Sequence, residues 1–168
     1  MNRRLLVPLG LFFLFSISAK AQNPMDFFGG YSYEALGRLP QAIPARNLSG
    51  VKVAVQYNLR EWLGIEGEVD GHFGSQLPAR ELNILVGPQI CLPRRIFSPF
   101  FHVLVGYGHA YTNGIWDNSF ATAIGGGVDW QVAPRVTWRV IEGDDVITRY
   151  FGGIEHNPRI STGIVLHF

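Results

Sequence analysis

From Gln22 onward the chain is written with a period of two, and that alternation limits the fold more than any other feature. Successive side chains of an extended chain point to opposite sides. Over 51–59, Val51, Val53, Val55, Tyr57 and Leu59 share one face, and Lys52, Ala54, Gln56 and Asn58 share the other. The pattern resumes at once, with Leu63, Ile65 and Val69 alternating against Glu66, Glu68 and Asp70. A helix would space its apolar residues every three to four positions. These segments therefore read as strands, joined by a tight turn at Arg60-Glu61-Trp62.

Eight segments of this kind can be drawn: Met25–Glu34, Leu48–Leu59, Leu63–Phe73, Glu81–Leu92, Ser98–Tyr111, Ser119–Val132, Val136–Val146 and Pro158–Phe168. Connections near 60–62, 93–97 and 133–135 are tight. Those near 35–47, 74–80, 112–118 and 147–157 are longer and richer in Gly, Asn, Pro and charge, the one at 74–80 being the shortest of the four. Short turns at one end and longer loops at the other describe an up-and-down meander. The stretch Gly37–Ser49, with Pro40 and Pro44, reads as a long loop, because a linker there would strand the first segment without partners.

The polar face is the unusual one. It carries small residues (Gly106, Gly108, Ala121, Ala123, Gly125, Gly127, Ser161, Gly163) beside isolated ionisable groups such as Glu66, Glu68, His102, Arg139, Arg159 and His167. The opposite face, with Val51, Val53, Val55, Leu82, Ile84, Val86, Val103, Val105, Ile160, Ile164 and Leu166, is nearly free of charge. Charged residues make up 16% of the chain, against roughly 25% in soluble domains. Lys52 is the one lysine after residue 20. A soluble sandwich would turn its apolar face inward. This composition fits the inverse, a barrel with lipid outside and polar groups packed inside. Aromatic placement agrees. Phe27, Tyr57, Trp62, Phe101, Trp130, Trp138 and Phe168 fall at one rim, and Tyr33, Phe73, Tyr111, Trp116, Phe120 and Tyr150 at the other, as two interfacial girdles would. Spanning strands of about 9–11 residues use roughly 80–90 of the residues after Gln22. Eight strands thus leave room for four long connections, and an even count lets the first and last strands pair.

Export is expected from the N-terminus. Arg3 and Arg4 precede an apolar run from Leu5 to Ile17, and Ala19-Lys20-Ala21 supplies a small-x-small cleavage pattern at Ala19 and Ala21. Residues 1–21 are read as a signal peptide and 22–168 as a single barrel domain. The run is too short for a spanning helix of roughly 20 residues. The whole chain carries 14 Lys and Arg against 13 Asp and Glu; removing Arg3, Arg4 and Lys20 reverses the balance to a net −2. That sign, with export, argues against nucleic acid. Cys91 is the single cysteine, so no internal disulfide can form.

The chain end reads Ser161-Thr162-Gly163-Ile164-Val165-Leu166-His167-Phe168. Ser161, Gly163, Leu166 and Phe168 sit at the polar, glycine, apolar and terminal aromatic positions of the β-signal of bacterial outer-membrane barrels. With the signal peptide, the chain resembles the small OmpA-like and OmpX-like barrels. Trp138-Arg139-Val140-Ile141 followed by Asp144 and Asn157-Pro158-Arg159 resembles their last hairpin. The resemblance implies an eight-stranded antiparallel up-and-down transmembrane β-barrel whose last strand is recognised by the outer-membrane assembly machinery. The partners expected are outer-membrane lipids, lipopolysaccharide and that machinery, with no cofactor, and the barrel is expected to be a monomer. Two positions depart from the pattern. Pro88 lies inside the fourth segment and calls for a bulge, since a closed barrel has no free edge. Asp144-Asp145 puts carboxylates on both faces, so one must sit at the rim or at a bulge.

Chemistry is sparse. Some eight-stranded barrels modify lipid A with Ser and His at the membrane surface, which makes His72 with Ser75, and His109 with Tyr111, the catalytic candidates here. His72 and Ser75 are three apart and fall on opposite faces of a continuing strand, and no signature of either lipid-modifying family is present. His102, His109, His156 and His167 are scattered. Glu66, Glu68 and Asp70 line one face and could form a cation site, but an internal salt-bridge network with Lys52, Arg139 and Arg159 is the preferred reading. Gly125-Gly126-Gly127 lacks the Lys-Ser/Thr of a phosphate loop and reads as room for a bulky Arg or Tyr across the lumen. Eight strands enclose space only for side chains, which excludes a large pore. The expectation is a non-enzymatic surface scaffold whose loops (Arg38, Arg46, Trp116, Asp117, Arg149, Tyr150) do any adhesion or binding. A lipid A-modifying enzyme and a soluble periplasmic lipocalin-like barrel stand as alternatives.

Overall fold

A computed structural model describes residues 24–35, 47–74, 80–92, 94, 96–112, 114–150 and 153–168. The expected signal segment with Ala19 and Ala21, and also Arg38, Arg46 and Ser75, lie outside the described residues. Eight strands follow in order: β1 Met25–Ala35, β2 Asn47–Arg60, β3 Leu63–Gly74, β4 Arg80–Cys91, β5 Phe97–Thr112, β6 Ile115–Ala133, β7 Val136–Thr148 and β8 Glu155–His167. Each pairs antiparallel with its chain neighbours, and β1 closes on β8 from Asp26↔His167 to Glu34↔Arg159. The result is a closed all-β barrel without an open edge along its wall. Its lower end holds Met25 and the C-terminal Phe168, whose backbone N–H donates to the Met25 carbonyl at 2.9 Å.

The faces divide as the alternation requires. Along β2, Val51, Val53 and Val55 are exposed while Leu48, Gly50, Lys52 and Ala54 are buried. Lys52 is 0% exposed and Val53 42%. Phe27, Tyr57, Trp62, Phe101, Trp130, Trp138 and Phe168 ring the outer surface near the lower rim, and Tyr33, Phe73, Trp116 and Phe120 near the upper. Tyr150 leaves the upper girdle: its side chain turns into the mouth and is 3% exposed. The interior also holds apolar residues beside its polar ones. Leu85, Leu104, Ala121, Ala123 and Val146 form one cluster, and Phe28, Ala54 and Val165 a second near the lower end.

Three expectations about the strands and connections are corrected. Thr112 at the end of β5 pairs with Ile115 at the start of β6, so only two residues separate the strands, and Gly114 adopts φ +86°, a conformation glycine takes without steric cost. This connection is the shortest of the upper ones, where a longer loop was expected at 112–118. Trp116 and Asp117 consequently stand in β6 rather than in a loop. Pro88 causes no bulge. Pairing with β5 omits Gly87 and Pro88 and resumes in the same register, from Val86↔Val105 to Gln89↔His102. Pro88 stays aligned with Ile65 of β3, so the missing N–H is absorbed by a gap in one ladder.

The bulge that matters lies in β7. Its register shifts between Arg139 and Glu142 against β8, and opposite Val128 and Asp129 of β6. An extra residue in one strand inverts the alternation beyond it. Thr137 and Arg139 therefore face inward below the bulge, and Glu142, Asp144, Val146 and Thr148 face inward above it. Asp145 points outward near the upper end, where the His156 ring, its Nδ1 2.8 Å away, accompanies it.

Val53, at the centre of β2, tests which side is lipid. Val53→Arg is expected to destabilise the barrel by about 2–4 kcal/mol in phospholipid vesicles, while Phe120→Arg at the rim costs about 0–1 kcal/mol. Equilibrium guanidinium unfolding followed by tryptophan fluorescence checks both.

Candidate functional site

The lumen is filled by one connected set of charges. Arg159 on β8 is fully buried, and its guanidinium reaches three carboxylates on two other strands, β3 and β7. Nη2 donates to Glu68 Oε1 at 2.6 Å and to Asp144 Oδ2 at 2.7 Å, and Nη1 to Asp70 Oδ2 at 2.6 Å. Asp144 is its cross-strand neighbour in β7, so that contact is built into the register. Lys52 on β2 meets Glu68 at very short range, lies 2.7 Å from Glu142 Oε1 and 3.7 Å from Asp144. Arg139 pairs with Asp129 at 2.9 Å and with Glu142 at 3.4 Å. Its guanidinium carbon lies 4.0 Å from the centre of the Phe100 ring and 4.8 Å from that of Phe28. An Arg held by carboxylates and aromatic faces together suits a low-dielectric interior.

The structure brings together Lys52, Glu68, Asp70, Arg139 and Arg159. Glu66 joins them through His102, whose Nδ1 lies 3.1 Å from Glu66 Oε2 and whose Nε2 lies 2.9 Å from Asp144 Oδ1. Glu142 and Asp144 were not assigned to the network from sequence. A strict period of two sends Arg139 and Glu142 to opposite faces, and only the β7 bulge brings both inside. Glu34 and His72 were also not assigned. Glu34 stands opposite Arg159 in the β1–β8 ladder, and recognising its place requires that pairing. Gly125 leaves room for Asp144, since a Cβ there would overlap the Asp144 carboxylate and the Gly143 carbonyl.

The upper mouth is closed by Tyr150. Its hydroxyl donates to Glu81 Oε1 at 3.3 Å, and Asn83 Nδ2 donates to Glu81 and to Asp70 at 3.3 and 3.1 Å. Gly108 makes this possible, because a Cβ there would collide with the Tyr150 hydroxyl. Burial and the adjoining Glu81 carboxylate hold the Tyr150 phenol well above its ordinary pKa, so the ring stays neutral. Near the lower end a recess bordered by Phe28, Gln56, Glu66 and Arg139 has about 10 Å³ of free volume, room for about one water.

Outside, the β5–β6 hairpin rises past its neighbour. Pairing of β6 with β7 begins at Ala121↔Thr148, so Ile115–Phe120 has no β7 partner. Trp116 stacks on His109 with ring centres 4.6 Å apart, and Tyr111 lies 4.4 Å from Trp116. His109 also contacts Asn118 at very short range. Arg149 is exposed beside this hairpin, and its backbone N–H donates to Ser119 Oγ at 2.6 Å. The C-terminal residues alternate: Ser161 is buried, Gly163 packs against β1, and Leu166 and Phe168 face outward.

Arg159→Met leaves Glu68, Asp70 and Asp144 without their shared cation. Removing one partner from a buried ion pair costs about 3–5 kcal/mol, and a loss of that size is expected in urea or guanidinium unfolding of the detergent-folded barrel. Arg149→Met, an exposed change, is expected to move stability by less than about 0.5 kcal/mol.

No family model matches the chain, and no curated protein matches it in sequence. Solved structures do resemble it. Neisserial surface protein A (NspA) has 11% identity and a TM-score of 0.66 over 85% of this chain and 97% of that one. Ail, the attachment invasion locus protein of Yersinia pestis, has 15% identity and a TM-score of 0.60 over 87% and 99%. The outer membrane protein OprG of Pseudomonas aeruginosa has 11% identity and a TM-score of 0.59 over 87% and 96%. At such identities the likeness is one of architecture. With its inverted faces, closed register and charge-filled lumen, this chain has the fold of the small eight-stranded outer-membrane β-barrels.

Proposed function

We propose that the chain is exported to the bacterial outer membrane, spans it as a non-enzymatic barrel, and serves as a rigid scaffold for surface recognition. The observation that carries this reading is the inversion itself. A continuous belt of exposed Val, Ile, Leu and aromatic side chains encloses a lumen of buried carboxylates and guanidiniums, an arrangement that would be costly in water and is favourable in a bilayer. A soluble lipocalin-like barrel would present the opposite faces.

The catalytic alternative lacks its geometry. A nucleophile needs a base within hydrogen-bond reach. The His72 ring is buried among Ser32, Glu34 and Asp70, away from any lipid-facing surface. His109 is occupied by Trp116 and Asn118. Conduction through the lumen is opposed by the fully buried Lys52 and Arg159 standing across it.

Recognition then belongs to the upper end, where binding residues collect on a rigid frame. The projecting hairpin with His109, Tyr111 and Trp116 is the best-formed feature there, flanked by Arg149. Among the structures of similar fold, Ail has been solved with the heparin analogue sucrose octasulfate. For this chain the ligand class is left to the hairpin and its neighbours. The outward Leu166 and Phe168, at the end of the closing strand, suit capture by the assembly machinery before β8 pairs with β1.

Membrane fractionation decides between the readings. The protein is expected to leave the outer membrane only with detergent and to migrate faster on gels before boiling than after. Recovery of the folded protein in an osmotic-shock fraction would overturn the proposal. Phe168→Ala is expected to reduce assembled barrel severalfold in vivo without preventing refolding in detergent, measured by the ratio of the two gel bands.

A further inference from the structure

Among the described residues the interior contains eight buried carboxylates (Glu34, Glu66, Glu68, Asp70, Glu81, Glu142, Asp144 and Glu155) against three buried Lys or Arg side chains. Most of these carboxylates are held by Lys52, Arg139, Arg159 or His102. Glu34 is not. It is 0% exposed, and neither of its oxygens accepts a hydrogen bond. Its Oε2 lies 3.2 Å from His72 Nδ1, and Asp70 Oδ1 lies 2.9 Å from the same nitrogen. That nitrogen also lacks an aligned hydrogen-bond partner.

The geometry points to a binding site for one divalent transition-metal ion, formed by Glu34, Asp70 and His72 in the upper lumen. Three observations support it. First, the three ligand atoms lie within 4.8 Å of one another on β1 and β3, the two strands that flank β2. Ligands about 2.1 Å from a tetrahedral metal stand about 3.4 Å apart, close to the spacings seen. Second, the opposite nitrogen of the ring is engaged: His72 Nε2 is 2.9 Å from Ser32 Oγ, itself 3.1 Å from Ser161 Oγ. When Nε2–H donates to Ser32, the Nδ1 lone pair faces the two carboxylates, which is how a ligating imidazole is oriented by its outer partner. Third, Asp70 divides its oxygens: Oδ2 serves Arg159, while Oδ1 accepts from Asn83 Nδ2 at 3.1 Å and also faces His72 Nδ1. One imidazole and two carboxylates suit Zn²⁺ or Mn²⁺, with water able to complete the coordination. A bound ion would also give the unpartnered Glu34 oxygens a partner.

A second cluster, Glu66, His102 and Glu142, has similar spacing but does not qualify. Both His102 nitrogens already meet carboxylates, and Glu142 is taken by Lys52. With both ring nitrogens engaged, His102 belongs to the salt-bridge network and offers no free nitrogen to a metal.

The test uses the full barrel refolded in detergent, stripped with chelator, and dialysed against Zn²⁺ alone. Wild type is expected to retain one Zn²⁺ per barrel by elemental analysis. At a Zn²⁺ concentration a hundredfold above Kd, its folding equilibrium should shift by about 100-fold. The Glu34→Gln/His72→Gln double variant should lose that equivalent, and Ser32→Ala should weaken it about 10–100-fold, while Glu66→Gln leaves it unchanged. The gel shift on boiling verifies that each variant is folded. If the double variant does not fold, wild type and Ser32→Ala decide the matter. Failure of wild type to bind Zn²⁺, undiminished affinity in Ser32→Ala, retention of the ion in the folded double variant, or its loss in His156→Ala at the outer surface would each overturn the site.

Discussion

The buried guanidinium of Arg159 is the contact on which the interior depends. A closed eight-stranded wall leaves space for side chains and little else, and among the described buried side chains there carboxylates outnumber Lys and Arg eight to three. One Arg, reaching Glu68, Asp70 and Asp144 within 3.0 Å, connects β3, β7 and β8 across the lumen. Lys52 and Arg139 extend the same network toward β2 and the lower end. Charges taken out of water are tolerable only when their partners are well placed. The closed register supplies that placement, because Asp144 and Arg159 are cross-strand neighbours before any side chain is considered.

The wall and the filling thus have different origins. Outside, burial is nonspecific: any sufficiently apolar residue suits hydrocarbon, and the belt mixes Val, Ile, Leu, Phe and Tyr freely. Inside, specific geometry is needed, and small residues make it possible. Gly108 gives way to Tyr150 and Gly125 to Asp144. Among the described residues, Tyr150 turns into the upper mouth, and the β5–β6 hairpin rises above its neighbour.

Much of this was legible in the residues alone. The strand count, most boundaries, the inverted faces and the placement of Lys52, Glu66, Glu68, Asp70, Arg139 and Arg159 on the lumen side all follow from a period of two plus the scarcity of charge on one face. Errors arose where local chemistry resembled something else. The polar stretch 112–118 reads as a loop, yet Thr112 pairs with Ile115, and Trp116 and Asp117 stand in β6. Tyr150 reads as a girdle ring because aromatic residues at strand ends usually are. Pro88 reads as a bulge, although a skipped pair in one ladder accommodates it.

Sequence by itself determined the architecture of this protein, because alternation records which side of a strand each residue occupies and an even number of amphipathic strands can close. It could not determine which charges meet. That depended on the extra residue near Val140, which inverts the alternation within β7 and turns both Arg139 and Glu142 inward. It depended also on the closure of β1 against β8, which sets Glu34 opposite Arg159. Phase within a strand is a local property that a periodic pattern displays. Contact across a lumen joins residues 90 or more positions apart, as in Lys52 with Glu142 and Arg159 with Glu68, and only the assembled register brings them within reach.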